Sequence, residues 1–368
     1  MSSAQTTQQP ETNMDWKHYW KRCAIALLFA CGCAQAGAGG IAVTLTPERQ
    51  ALGKDDDVRV KVTITNTSAS PARLLKWALP FGDIEAPLFD VTRDGLTARY
   101  LGVRVKRAPP GDDDYLVLAP GASRSETIEL SSLYQMNVTG AYTVRYHSHT
   151  LQPDGAQGAQ AGATELQSEP VSIWIDGRLP RGTVTPEPLP LRAMQAAAGL
   201  AFSRCSNAQQ GEIGSAAAGA LAMATDGEAY MLKAALAARY GQWFGATDQE
   251  RAQQVKAHFT SIKDGFATRP VTVDCGCNKS YFAYVYPSQP YTIYVCKAFW
   301  SAPMTGTDSK AGTLVHEMSH FTVVAGTDDW VYGQAGAASL ATTDPAKAID
   351  NADSHEYFGE NMPVLPVR

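Results

Sequence analysis

The chain predicts two domains: an N-terminal all-β, immunoglobulin-like sandwich and a C-terminal α+β domain that is mostly helical. Three observations carry this. Short alternating, β-branched runs recur between turn signals over residues 41–175. A Pro- and Arg-containing stretch follows at 176–195, with Thr-Pro-Glu-Pro-Leu-Pro at its centre. From about residue 196 the period changes to that of helices, starting with an Ala-rich segment.

The runs in the first domain are Ile41–Leu45, Val58–Thr65, Ala98–Val105, Glu126–Leu130, Tyr142–Tyr146 and Val171–Ile175. Arg93-Asp94-Gly95, Pro109-Pro110-Gly111 and Pro120-Gly121 punctuate them. This domain holds no cysteine. His147 and His149 alternate on one strand, but without a third donor nearby they read as surface residues rather than metal ligands. In the second domain Asn207–Tyr240 and Asp248–Phe266 read as helices. Short strands follow around Val271–Asp274, Tyr281–Tyr286 and Thr292–Cys296.

Composition narrows the class. Hydrophobic residues make up 45% and charged residues 18%, the balance of a chain with buried cores rather than a disordered one. A net charge of −5 lacks the basic excess of a nucleic-acid binder. Lys17, Lys21 and Arg22 precede an apolar core at 23–33, and Ala34-Gln35-Ala36 offers a cleavage site, so residues 1–36 read as an export signal. The core is too short for a spanning helix. Leu28-Phe29-Ala30-Cys31 resembles a lipoprotein signal only weakly, which leaves a lipid-anchored surface form as the variant of a secreted one. Translation from Met14 in place of Met1 would shorten the polar lead. Four of the seven cysteines, Cys205, Cys275, Cys277 and Cys296, lie in the second domain, an even set suited to two disulfides after export.

The chemistry concentrates at His316-Glu317-Met318-Ser319-His320. On a helix, residues four apart share a face, so two imidazoles can reach one tetrahedral zinc while the intervening glutamate points to the metal's open side. Asp308 or Ser309 supplies an N-cap; Ala311, Leu314, Val315, Met318 and Thr322 form the buried stripe; Gly326 provides a left-handed stop. A catalytic zinc needs a third protein ligand. Asp328 and Asp329 are the nearest acidic candidates.

The continuation Gly326-Thr327-Asp328-Asp329-Trp330-Val331-Tyr332-Gly333 resembles the aspzincin, or deuterolysin-like, group of metallopeptidases. The resemblance spans Cys205 to Asn361 and is nearest to the peptidyl-Lys metalloendopeptidases. It is carried by Phe282–Pro287, Ala302–Phe321 and Asn351–Asn361. It implies one zinc per chain on His316, His320 and Asp329, leaving Asp328 as a solvated loop residue. It implies oxyanion stabilisation by Tyr332 and disulfides Cys205–Cys275 and Cys277–Cys296. It also implies a lysine-accepting S1′ pocket floored by Asp353 and, less firmly, Glu356. The physics of that pocket is consistent: a buried ammonium requires a carboxylate partner, and positions i and i+3 of a helix share a side. Against it, Asp353 reads as a helix cap and Glu356 as solvated. His355 is a candidate extra ligand, but reads first as a helix-surface residue.

Zinc chemistry then assigns Glu317 as the base that takes a proton from water and returns it to the leaving amine. Proteins and peptides are the expected substrates of a monomeric, secreted endopeptidase. The domain at 41–175 is expected to be a propeptide that inhibits the enzyme or assists its folding, the linker spanning 176–195 and the protease 196–368. Its competitors are a permanent binding module, an aspzincin of broader specificity, and an adhesion protein with a decayed protease domain. Residues 176–204 contain four arginines and no lysine, so an Xaa-Lys cut is not available in the linker.

Overall fold

The computed structural model describes residues 40–151, 163–177, 199–233, 236 and 238–365. The residues read as an export signal, most of those read as the linker, and the side chain of His149 lie outside these residues. No described helix is long and apolar enough to cross a membrane.

The N-terminal region is β-rich, as its alternating runs predict. Ile41–Pro47, Arg59–Asn66 and Ser123–Glu129 form one antiparallel sheet. A second sheet is ordered Ala51–Leu52, Val171–Ile175, Gly140–Leu151, Phe89–Arg93 and Leu96–Thr97, with Ala163–Gln167 also paired to Gly140–Leu151. The central strand Arg59–Asn66 shows the reason: Val60, Val62 and Ile64 are fully buried while Arg59 and Lys61 are exposed. Those residues share a core with Tyr142, Val144, Tyr146, Ile173 and Ile175 from the second sheet.

One predicted strand behaves differently. The run Ala98–Val105 does not continue through the N-terminal sheets. It breaks near Gly102, where a Cβ would come within 2.3 Å of the Tyr100 hydroxyl, so only glycine lets the chain fold over that ring. Arg104–Lys106 then becomes the edge strand of the C-terminal sheet, antiparallel to Ala283–Val285.

That C-terminal sheet is ordered Gly199–Ser203, Pro270–Asp274, Thr292–Val295, Ala283–Val285, Arg104–Lys106. Its first two pairings are parallel and the others antiparallel. Helices Asn207–Met231 and Gln249–Thr268 accompany it, the first capped by Ser206 and the second by Asp248. The predicted helix 207–240 is in fact two, the second running Ala238–Phe244. At Gly219 a Cβ would sit 2.9 Å from that of Ala311, so glycine permits close approach of the Lys310–His320 helix.

The Lys310–His320 helix is buried on all sides, as expected of a helix enclosed by other elements. Ser309 is its cap, accepting from the Gly312 N–H at 2.9 Å. It ends at His320, earlier than the stripe through Thr322 predicts. Thr322 is exposed outside it, and Gly326 turns the chain at φ +66° in the loop beyond.

The disulfides are Cys205–Cys275 and Cys277–Cys296. The first spans 70 residues of sequence. On a chain-entropy account a loop of that size contributes about 4 kcal/mol. Replacing Cys205 and Cys275 together by alanine is therefore expected to lower the urea midpoint sharply; an unchanged midpoint would show that the crosslink does not restrain the unfolded chain.

Candidate metal centre

The two histidines project from consecutive turns of the buried helix. His316 Nε2 and His320 Nε2 lie 3.1 Å apart. Asp329 Oδ1 sits 3.2 Å from the first and 3.4 Å from the second. A tetrahedral ion with bonds of about 2.0 Å has ligand–ligand edges of about 3.3 Å, so the triangle has the dimensions of a zinc face.

The ring orientations favour the same ion. His320 Nδ1 donates to the Thr327 carbonyl at 2.8 Å, which leaves its Nε2 lone pair facing the centre. His316 Nδ1 faces Asp353 Oδ1 at 2.9 Å. Such outer partners fix the tautomer of a ligating histidine. The Asp329 carboxylate is buried and accepts no hydrogen bond within the described protein. Three electron-pair donors converging at this distance repel one another unless a cation lies between them. The residues therefore fit a bound zinc.

Short contacts aim Asp329 inward. Thr327 N–H donates to the Ser319 carbonyl, and the Ser319 and Thr327 hydroxyls bond at 2.6 Å. Asp328 is held by backbone bonds to Asp350 and Ala352, and Asn351 Oδ1 accepts from the N–H groups of Trp330 and Val331. The Asp328 side chain turns away and pairs with Arg104. It is an ion-pair partner of the N-terminal region, not the solvated carboxylate expected.

Glu317 is fully buried beside the triangle, neither oxygen having a hydrogen-bond partner in the described protein. Burial pushes its carboxyl up to about 8. Tyr332 is held protonated by burial, well above the usual phenol range. Its hydroxyl donates to the Val105 carbonyl at 3.2 Å.

On the helix Ala352–Glu360, Asp353 and Glu356 are buried on one side, as their spacing requires. Asn351 is the N-cap, and Asp353 Oδ2 instead accepts from the Gly333 N–H at 2.6 Å. Between the two carboxylates lies the ammonium of Lys106, 2.5 Å from Glu356 Oε2 and 3.5 Å from Asp353 Oδ1. Asp308 Oδ1 is also 3.5 Å away. Burial opposes the charge on Lys106, but Asp353, Glu356 and Asp308 override it and raise its pKa. Burial likewise opposes ionisation of Asp353, yet Lys106 and His316 hold it below the usual carboxylate range. Burial raises Glu356, and the Asp353 charge adds to it. Glu356 is thus not solvated. It is the nearer carboxylate to the ammonium, although the sequence points first to Asp353.

His355 is neither on the surface nor beside the metal triangle. It is buried against Phe244 and Phe259, with His258 Nδ1 at 3.0 Å from its Nε2. Burial pushes His355 down to about 3 and His258 to about 4, so the pair is neutral. His147 forms ion pairs with Asp90 and Glu165. Lys106 carries no local signal: a lysine on a short strand reads as solvated.

Comparisons with known proteins place the chain in a family. A family model described as lysine-specific metallo-endopeptidase matches residues 231–360. An extracellular protease of Aeromonas hydrophila is 47% identical over 304 residues, covering 81% of this chain and 86% of the relative. The chain belongs to the aspzincin family of zinc metalloendopeptidases. A peptidyl-Lys metalloendopeptidase of Grifola frondosa is 37% identical to this aspzincin over 290 residues, covering 75% of the chain and 80% of the relative. A solved zinc peptidase from Grifola frondosa is 46% identical over 44% of the chain and 99% of its own length, with a TM-score of 0.41. The aspzincin is accordingly a metalloendopeptidase, and its family implies zinc.

Proposed function

We propose that the chain is a secreted endopeptidase, made as a proenzyme, that hydrolyses Xaa-Lys bonds using one zinc held by His316, His320 and Asp329. The observation that carries the specificity is the pair of buried carboxylates, Asp353 and Glu356, enclosing a lysine ammonium beside the metal triangle. A buried cation is stable only with such partners. The pocket that holds one lysine suits another at P1′. Export is supported by the leader pattern and by a relative named an extracellular protease.

Zinc, when bound, acts as a Lewis acid toward the scissile carbonyl and the attacking water. Glu317 takes the proton from that water and passes it to the amide nitrogen as the C–N bond breaks. Neither of its oxygens is taken up by a hydrogen bond within the described protein, which leaves them available to take and return that proton. Tyr332, kept as a donor, stabilises the developing oxyanion in this reading; its hydroxyl already donates to a main-chain carbonyl, that of Val105. The β-rich domain at 41–175 serves as the propeptide; its segment Arg104–Lys106 pairs with Ala283–Val285 and sets Lys106 against Asp353 and Glu356, which supports inhibition. A mixed proteome digested with the processed enzyme is expected to yield peptides beginning with lysine, as read by mass spectrometry. Fragments with no lysine enrichment at their first residue would defeat the specificity.

A further inference from the structure

The lysine in the pocket belongs to a peptide bond in a definite place. Arg104–Lys106 pairs antiparallel with Ala283–Val285, with Val105 opposite Tyr284 and Lys106 opposite Ala283. The Phe282 N–H donates to the Lys106 carbonyl at 3.1 Å. One carbonyl earlier, Val105 O accepts from the Tyr332 hydroxyl at 3.2 Å. The Lys106 side chain is fully buried between Glu356 and Asp353, and Arg104 is tied to Asp328 on the metal-ligand loop. This is strand addition: main-chain bonds set the register and alternate side chains fill pockets. The register puts a lysine in the lysine pocket and the carbonyl preceding it on the oxyanion donor.

From this register we infer that Val105–Lys106 is the enzyme's own tethered substrate, blocking the cleft of the new chain and forming the first bond it cuts, in cis. The inference rests on the Xaa-Lys reading above and extends it to activation. In the step, water oxygen adds to the Val105 carbonyl carbon and the C–N bond to Lys106 breaks. Glu317 carries the proton from water to the Lys106 nitrogen. One water is consumed, and both of its protons end on the Lys106 nitrogen, leaving a Val105 carboxylate and a Lys106 α-ammonium. The absence of lysine from residues 176–204 then poses no obstacle, because the first cut lies elsewhere.

The test uses the full chain. In a Glu317→Gln background, whose turnover is slowed by about 10²–10⁴-fold, lysine acetylation of the chain still uncut, followed by mass spectrometry, should find Lys106 protected by about tenfold or more relative to the exposed Lys54 and Lys61. That chain should bind a fluorescent Xaa-Lys peptide about tenfold or more weakly than Glu317→Gln/Lys106→Ala, whose pocket is vacated. The zinc-loaded parent chain should produce a new N-terminus at Lys106 before any other, at a rate independent of protein concentration over about a hundredfold range. Equal labelling of Lys106 and Lys54 overturns the occupancy, even if the Lys106→Ala chain does not fold. A zinc-loaded chain that cuts added Xaa-Lys peptide while Val105–Lys106 stays whole overturns the self-cut and leaves the specificity standing. A chain that cuts neither, even after external trimming of its N-terminal region, removes the Xaa-Lys reading and this inference together.

Discussion

Glu317→Gln is expected to retain zinc and to lower kcat on lysyl peptides by about 10²–10⁴-fold, the usual contribution of a positioned general base. The substitution is nearly isosteric, so the wholly buried helix that carries both histidines keeps its packing. The metal triangle uses His316, His320 and Asp329 and takes nothing from Glu317, whose oxygens make no hydrogen bond in the described protein. What the variant loses is the site that accepts water's proton and returns it to the leaving nitrogen. Zinc per chain and kcat should be measured on parent and variant trimmed by the same external protease, so that self-processing does not enter. Near-parental turnover with full zinc would remove Glu317 from the chemistry. Loss of zinc in step with activity would make it a structural residue.

The second large effect separates the two pocket carboxylates. Glu356→Gln is expected to lower kcat/KM for Xaa-Lys peptides by about 10–100-fold, from the loss of a charge-assisted hydrogen bond worth about 1.5–3 kcal/mol. Zinc affinity should hardly change, because Glu356 lies 3.4 Å from His316 Nδ1 while Asp353 is nearer at 2.9 Å. Asp353→Asn should weaken lysine binding and also lower zinc affinity by about 10–100-fold, as loss of an outer partner of a ligating histidine does. It also disturbs the Gly333 N–H bond at 2.6 Å. Comparing lysyl with norleucyl peptides, alongside a competitive chelator titration, reads both quantities. Equal zinc loss in the two variants would contradict this division.

Much of the metal centre was legible because its geometry is local. His316, Glu317 and His320 acquire their relative positions from helical periodicity alone, and Asp329 follows within one short loop. The choice of Asp329 over Asp328 came from resemblance. The structure gives its physical form: backbone bonds hold Asp328 to Asp350 and Ala352, its side chain pairs with Arg104, and Asp329 faces the two histidines. The β character of the first region was equally readable from the alternation in Arg59–Asn66. The strand Gly199–Ser203 was not anticipated, since a five-residue segment beside an accessible linker has too little pattern to stand out.

By itself, then, the sequence determined the helix that carries His316, Glu317 and His320, a candidate ligand set through a family pattern, and the division into a β-rich and a mostly helical part. Each follows from short-range periodicity or from motifs within a few turns of chain. The tertiary structure alone decided what fills the pocket. Lys106 and Asp353 are 247 residues apart, and a contact across that distance leaves no periodic trace in either segment. It also decided that Arg104–Lys106 joins the protease sheet, that Asp328 pairs with Arg104, and that His355 is buried against His258. In each case a polar side chain that reads as solvated finds its partner only when distant surfaces are packed together and water is excluded from between them.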